Sequence, residues 1–134
     1  MASKVFINLP VKNIEASRKF FGALGFGFNE QFSDDKAVCV VVSDSIFVML
    51  LQESYFQTFT KKPISDAKKS TEVLIALDAA SREEVESLVQ KAVAAGGRIY
   101  AEPADHGWMY QHSFEDLDGH QWELAYLDVT KMPG

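Results

Sequence analysis

The feature that most constrains the fold of this chain is a succession of predicted elements that occurs twice. In each half, the hydrophobic pattern predicts a strand, an amphipathic helix and three further strands, and the halves span residues 4–52 and 71–128. Alternation with a period of two indicates the strands, and apolar residues three and four positions apart indicate the helices. The connector 53–70 breaks both patterns. We therefore expect a single α+β domain, residues 1–134, with an internal repeat.

The strands of both halves are indicated by short runs of β-branched, aromatic and alternating apolar residues. They are predicted over residues 4–11, 26–32, 37–42 and 46–51 in the first half, and over 71–78, 98–102, 108–115 and 121–127 in the second. Within the repeat, Leu9-Pro-Val and Ile75-Ala-Leu occupy equivalent places. Each half therefore has the order β-α-β-β-β.

The two predicted helices carry local start and stop signals. Asn13 is suited to cap a helix over residues 14–24, and Gly25 is suited to end that helix in the left-handed conformation. In the second half, Ser81 and Glu84 form a capping box, in which each side chain accepts a hydrogen bond from an otherwise unpaired helix N–H.

Composition limits the partners of the chain. A net charge of −6 argues against nucleic acid and against an anionic membrane surface, and the pairs Lys61-Lys62 and Lys68-Lys69 are too short to follow a phosphate backbone. The one cysteine, Cys39, lies in an apolar run and is expected to behave as a small buried hydrophobe. The sequence shows neither a signal peptide nor an apolar run of about 20 residues, so we expect a cytoplasmic protein.

One helix in each half covers only one face of its four strands. The opposite face stays open, and strand alternation places on it two residues from each half, namely Phe6, Met49, Glu72 and Glu123. Two such units joined edge to edge are expected to curl into a cup lined by this face.

The closing strand shows how the direction of Glu123 is inferred. Asp118-Gly119 is typical of a hairpin turn, and the strand that follows it alternates. Trp122 and Leu124 belong to the core side of that strand, which places Glu123 on the other side. Spacing alone leaves two readings open: a carboxylate in solvent, or a carboxylate directed into a cleft.

Two stretches carry a resemblance to a known family. The opening Asn-Leu-Pro-Val-Lys-Asn-Ile-Glu-Ala-Ser-Arg-Lys-Phe-Phe-Gly-Ala-Leu-Gly-Phe (8–26) and the closing Asp-Leu-Asp-Gly-His-Gln-Trp-Glu-Leu (116–124) resemble the vicinal oxygen chelate superfamily. That superfamily includes glyoxalase I, bleomycin-resistance proteins and extradiol dioxygenases. The resemblance spans about Lys4 to Asp128. It implies a curled mixed sheet with helices on its outer face, a small-molecule ligand and a homodimer.

The resemblance also implies a metal-binding pattern that this chain keeps only in part. Metal-using members place His or Glu ligands on the first and last strands of each unit, at positions that fall here on Phe6, Met49, Glu72 and Glu123. The two carboxylates leave three alternatives open. They hold a divalent ion (Mg, Mn, Zn, Ni or Fe), they share a proton as acid and base, or one of them pairs with a lysine or arginine.

Two functions follow as alternatives. In the first, the protein binds a small, partly apolar ligand without the full family metal site, through Phe6, Met49, Trp108 and His112, while the carboxylates take its polar groups. In the second, Glu72 and Glu123 or their metal ion serve a lyase, isomerase or dioxygenase reaction on a small oxygenated substrate. Sequence does not assign a face to His112 or a role to His106.

Overall fold

The computed structural model describes residues 1–133, which form two compact units, Met1–Ser65 and a second one from Asp66 onward. Each unit contains one long helix and a mixed sheet of four strands. The elements of the first unit are β1 (Val5–Val11), α1 (Ile14–Ala23), β2 (Gly27–Asn29), β3 (Ala37–Val41), β4 (Ile46–Gln52) and the short α2 (Glu53–Phe56). Those of the second are β5 (Leu74–Asp78), α3 (Arg82–Ala94), β6 (Ala104–Asp105), β7 (Met109–Glu115) and β8 (Gln121–Leu127).

Both sheets have the same strand order. The first runs β1-β4-β3-β2 and the second β5-β8-β7-β6, so that the last strand of each unit lies next to the first. That pair is parallel, and the other neighbours are antiparallel. The prediction of an α+β fold made of two tandem β-α-β-β-β units is confirmed.

Local caps begin both long helices where the sequence predicts them. The Asn13 side chain accepts a hydrogen bond from the Ala16 N–H at 2.9 Å, and the Ser81 hydroxyl accepts one from the Glu84 N–H at 3.1 Å. After α1 the chain turns at Gly25, whose φ of +100° is in the left-handed region that favours glycine. None of the helices in the described part of the chain is long and apolar enough to cross a membrane.

Three predicted strands are wrong in extent. The strand predicted over 26–32 ends at Asn29, because the Asn29 side chain accepts from the Gln31 N–H at 3.0 Å and starts a 3-10 turn over Glu30–Phe32. The strand predicted over 98–102 is reduced to a single bridge between Arg98 and Glu115. The strand predicted over 71–78 begins only at Leu74.

Each core lies between the long helix and one face of its sheet. In the first unit the buried residues on that face are Leu9, Val11, Val38, Val40, Val48 and Leu50, which pack with Ile14, Phe20 and Phe21 of α1. In the second they are Ile75, His112, Phe114, Trp122 and Leu124, which pack with Val85, Val89 and Ala92 of α3. Because side chains alternate along a strand, the residues between these core residues point to the other face of each sheet, here called its open face.

Candidate functional site

The open face of the first sheet carries Phe6 and Met49. Strand register pairs Phe6 with Phe47 and Asn8 with Met49, on the side away from α1. Phe6 is 47% exposed, and its ring stacks on that of Phe47 with 4.9 Å between centroids and 12° between planes. A large apolar side chain on a strand that remains half exposed offers surface to a ligand.

A cavity of about 450 Å³ lies on this open face. Four aromatic residues line it, namely Phe6, Phe32, Tyr55 and Phe59. Three smaller apolar residues form more of its wall, namely Ala37, Met49 and Leu51, and four polar residues complete it, namely Asn8, Gln31, Ser33 and Asp34. Such a lining, predominantly apolar with a few polar groups, is typical of small-molecule sites.

Two of the lining rings come from the segment that follows β4. Tyr55 belongs to α2 and Phe59 to the 3-10 turn Gln57–Phe59, and their rings meet edge to face with 5.1 Å between centroids. The Thr58 hydroxyl donates a hydrogen bond to the Tyr55 carbonyl at 2.6 Å, which ties the two turns together. The aromatic residues of the connector therefore form one wall of the cavity.

The open face of the second sheet is polar at its centre. Strand register pairs Ser113 with Glu123 and Gln111 with Ala125, so these side chains share the face away from α3. The Gln111 amide donates a hydrogen bond to the Glu123 carboxylate at 2.7 Å. Glu123 is thus half-buried and bound by a neutral amide. Among residues 1–133, the ion pairs that the structure shows do not include Glu123.

Tyr100 adds a buried phenol to this polar group. Its hydroxyl is buried and makes no hydrogen bond within residues 1–133. Burial raises the pKa of Tyr100, and the negative charges of Glu123 and Glu115 add to the effect, while the neighbouring Ser113 side chain lowers the pKa. An unpaired buried hydroxyl costs free energy and calls for an explanation.

Glu72, by contrast, is not part of this group. It lies in an exposed bend before β5, and the residue of β5 that pairs with Glu123 is Ala76. The inference that Glu72 and Glu123 lie side by side on adjacent strands is therefore wrong. Its physical reason is that β8 begins at Gln121, which pairs with Leu74, so no β8 backbone is present beyond that point to pair with Glu72.

The tryptophan and histidines named from sequence are dispersed. His112 pairs with Leu124 on the face packed against α3, is 6% exposed, and its Nδ1 has no hydrogen-bond partner within residues 1–133. The structure thus assigns His112 to the core face, so the role in binding a ligand on the open face that the sequence offered for it does not fit this position. Trp108 is half-buried just before β7, and its carbonyl accepts from the Asp128 N–H at 2.7 Å. His106 is in an exposed loop.

A buried carboxylate organises the turn that leads into β8. Asp116 accepts hydrogen bonds from the Asp118 and His120 N–H groups and from the Trp122 indole, each at 3.0 Å. Burial raises the pKa of Asp116, although His120, Trp122 and these backbone donors lower it. This turn sets the start of the strand that carries Glu123.

Comparison with known proteins identifies the family. A family model described as Glyoxalase/Bleomycin resistance protein/Dioxygenase superfamily matches residues 5–124. The chain belongs to this superfamily. None of the curated proteins compared matches the chain.

Solved structures share the fold over nearly the whole chain. A hypothetical protein, SA1046 from S. aureus, is 32% identical with a TM-score of 0.80, and the match covers 94% of each chain. A glyoxalase-related enzyme from Fulvimarina pelagi is 21% identical with a TM-score of 0.81, over 96% of this chain and 91% of that one. TnmS3, an antibiotic binding protein from Streptomyces sp. CB03234, is 18% identical with a TM-score of 0.64, over 95% and 97%.

The structure shifts the correspondence between the two halves by two residues. Phe6 and Leu74 each precede the helix cap of their unit, Asn13 or Ser81, by seven residues. The residue equivalent to Phe6 is therefore Leu74 and not Glu72. A shift of two residues keeps the face of a strand and changes the position along it, which is why alternation did not reveal the error.

The residues present do not fit the metal site of the superfamily. With the corrected correspondence, the four ligand positions hold Phe6, Met49, Leu74 and Glu123, of which only Glu123 has a ligating oxygen. A thioether is a poor ligand for the hard and borderline divalent ions. Among residues 1–133, no group of three or more His, Cys, Asp or Glu is close enough to hold an ion.

Sequence reasoning did not single out Tyr100 and Gln111 as site residues. Strand alternation could have indicated Gln111, because Gln111 and Ser113 lie on the same face of β7. No sequence pattern could have indicated Tyr100. It lies in irregular chain between α3 and β6 and is positioned by the bridge between Arg98 and Glu115.

Proposed function

We propose that this protein binds a small, largely apolar organic molecule in the cavity on the open face of its first sheet, without a metal ion. The observation that supports the proposal is the lining itself. It is mainly aromatic and aliphatic, and it includes Phe6 and Met49, which fall on positions that the family resemblance assigns to metal ligands. The description of a protein of this fold as antibiotic binding is consistent with such a role.

Binding is tested with benzyl alcohol, a neutral aromatic probe, titrated into nitrogen-15-labelled protein. We expect backbone and side-chain signals of the cavity, such as those of Asn8 and Gln31, to shift. Phe6→Ala is expected to weaken binding about fivefold, because it removes one aromatic contact. Phe28→Ala is the matched control, since Phe28 belongs to the same sheet, is half-buried and does not line the cavity. Unchanged affinity in Phe6→Ala would refute the proposed location.

The absence of a metal requirement has a separate test. Treatment with a chelator followed by dialysis is expected to leave the affinity for benzyl alcohol unchanged, because the lining offers apolar groups where ligands would be. A tightly held ion whose removal abolishes binding would contradict the proposal.

A second candidate function is acid–base catalysis on the open face of the second sheet. It is favoured by two features: the Glu123 carboxylate is held by the Gln111 amide, and the buried Tyr100 phenol has a pKa that burial and the charge of Glu123 raise. A carboxylate held by a neutral amide is able to accept a proton from carbon next to a carbonyl, as a lyase or isomerase requires. Glu72 is too exposed and too far along the chain from this pair to share that proton in the manner first expected.

This candidate is tested by deuterium exchange into hydroxyacetone in D₂O, followed by NMR. An acid–base enzyme of this kind is expected to speed exchange above the buffer rate. Glu123→Gln abolishes the acceleration, and Glu102→Gln, an exposed carboxylate outside the sheet, leaves it unchanged. Equal exchange with and without protein would exclude this reaction.

We also propose that the chain forms a homodimer. Apolar side chains remain exposed on or just before the first strand of each sheet, with Val5 at 45%, Val73 at 48% and Leu74 at 50%. Surface of this kind is suited to burial against a second chain. Light scattering during size-exclusion chromatography tests the proposal, and a monomeric mass would refute it. The cytoplasmic location stays a prediction.

A further inference from the structure

We infer that the ligand of the first cavity carries a positive charge beside its apolar part, as in an aromatic amine or a quaternary ammonium compound. The inference rests on the proposed function and adds the charge of the ligand to it. Three properties of the cavity support it: its rings, its charges and its hydrogen-bonding groups.

The first property is the number of aromatic rings. Phe6, Phe32, Tyr55 and Phe59 line one cavity of about 450 Å³. Aromatic faces carry a negative electrostatic potential, so a cation is attracted to them, most strongly where several rings surround it. Phe32 and Phe59 are 56% and 65% exposed, which leaves their surfaces accessible to a ligand.

The second property is the sign of the charge in the lining. Asp34 is the one charged residue among the described residues that line the cavity, and no lysine, arginine or histidine accompanies it there. Asp34 is exposed, and its Oδ1 accepts a hydrogen bond from the Lys36 N–H at 2.8 Å, a bond that does not involve Oδ2. The carboxylate of Asp34 therefore attracts a cationic ligand and repels an anionic one.

The third property is the chemistry of the remaining polar groups. Asn8, Gln31 and Ser33 each offer an oxygen that can accept a hydrogen bond from an ammonium group. The Ser33 hydroxyl donates to the Asn29 carbonyl at 2.7 Å and accepts from the Cys39 N–H at 3.1 Å, so it retains one lone pair as an acceptor. The rings and the carboxylate thus favour a cation, and the neutral polar groups are compatible with one.

Nearby basic side chains do not cancel this preference within the lining. Lys4 lies with its Nζ 5.8 Å from the centroid of Phe47, and Arg18 lies 4.7 Å from the centroid of Phe28. Neither of these two rings lines the cavity. Both contacts show that aromatic rings of this unit attract cations, and neither occupies the four rings of the cavity.

The test compares three probes of similar shape at pH 7 and low salt: benzyltrimethylammonium, benzyl alcohol and benzoate. Each is titrated into the full chain and followed through the cavity signals. We expect the cation to bind about tenfold more tightly than the alcohol, and benzoate to bind more weakly than either.

Two variants locate the charge effect. Asp34→Asn is expected to weaken binding of benzyltrimethylammonium about threefold, and to change binding of benzyl alcohol by a smaller factor. Asp35→Asn is the matched control, because it removes the same charge from an exposed neighbour that does not line the cavity. Circular dichroism checks that both variants are folded.

The outcomes separate the inference from the proposed function. If benzyl alcohol shifts the cavity signals and the cation binds no more tightly, the inference fails and the proposed function stands. If Asp34→Asn and Asp35→Asn weaken binding of benzyltrimethylammonium equally, the inference is overturned as well. The effect would then follow from the net charge of the protein and not from a carboxylate in the cavity. If none of the three probes shifts the cavity signals, the proposed function fails together with the inference.

Discussion

Substitution of Asp116 by alanine is expected to destabilise the second unit strongly. The carboxylate is buried and accepts three hydrogen bonds in the turn before β8. Two of the donors, the His120 N–H and the Trp122 indole, are themselves buried. Alanine would remove the carboxylate oxygens to which both of them donate. The third donor, the Asp118 N–H, is half-exposed and can bond to water.

The magnitude follows from these two donors. A hydrogen bond to a charged group contributes about 1.5–3 kcal/mol, so the loss of these two bonds costs about 3–6 kcal/mol. Part of this cost in stability is offset. Burial raises the pKa of Asp116, so burying the carboxylate is itself unfavourable, and alanine relieves that cost. We therefore expect a loss of about 3 kcal/mol in the free energy of unfolding, a large fraction of the total stability of a domain.

The assay is urea denaturation followed by circular dichroism at one fixed protein concentration. Asp44→Ala, in an exposed turn, is the control and is expected to stay within about 0.5 kcal/mol of the wild type. Trp122→Phe removes the indole donor, so the two single variants both lose the bond between Trp122 and Asp116, and the double variant loses it only once. The pair should show a coupling of about 1 kcal/mol. Additive effects, or an Asp116→Ala variant as stable as the control, would refute the reasoning.

Three further predictions concern local interactions. Asn13→Ala removes the cap of α1 and should cost about 1 kcal/mol in urea denaturation. Arg82 lowers the pKa of Asp105 from 3.8 to about 2, so this pair stabilises the fold above about pH 4 and loses its effect as the pH falls toward about 2. Asp105→Asn should flatten the stability profile over that window in acid titration, and an unchanged profile would contradict this. Gly119→Ala should lower the free energy of unfolding by about 2 kcal/mol in thermal or urea unfolding. The reason is that φ at Gly119 is +89° and an added Cβ would lie 2.8 Å from the backbone nitrogen of Lys68. Wild-type stability in that variant would be inconsistent with the turn.

The helices could be predicted because their signals are local. Asn13 and Ser81 bond to N–H groups three residues away, so the chain carries the start of each helix within one turn of itself. Strand alternation is local as well. It placed Met49 and Glu123 on the faces opposite the cores, and strand register in the structure agrees.

Strand ends and strand pairing could not be predicted, because they depend on distant residues. Glu72 continues the alternation of β5 and still falls outside the strand, since the partner strand begins at Gln121. The face of His112 depends on its pairing with Leu124, which no local pattern encodes. A shift of two residues moves a position by about 7 Å along a strand while its face stays the same. This shift of two residues is the reason why the sequence assigned a ligand position to Glu72 and not to Leu74.

The shared strand order has a consequence for synthesis on the ribosome. In both sheets the strand made last, β4 or β8, lies in the interior, between the first strand and the third. Until it emerges, both of its future neighbours present unpaired backbone edges, and those edges can pair with another nascent chain. Each unit is therefore expected to fold in one late step, when the ribosome releases its final strand. Stalling before Gln52 or Leu127 should leave a protease-sensitive intermediate.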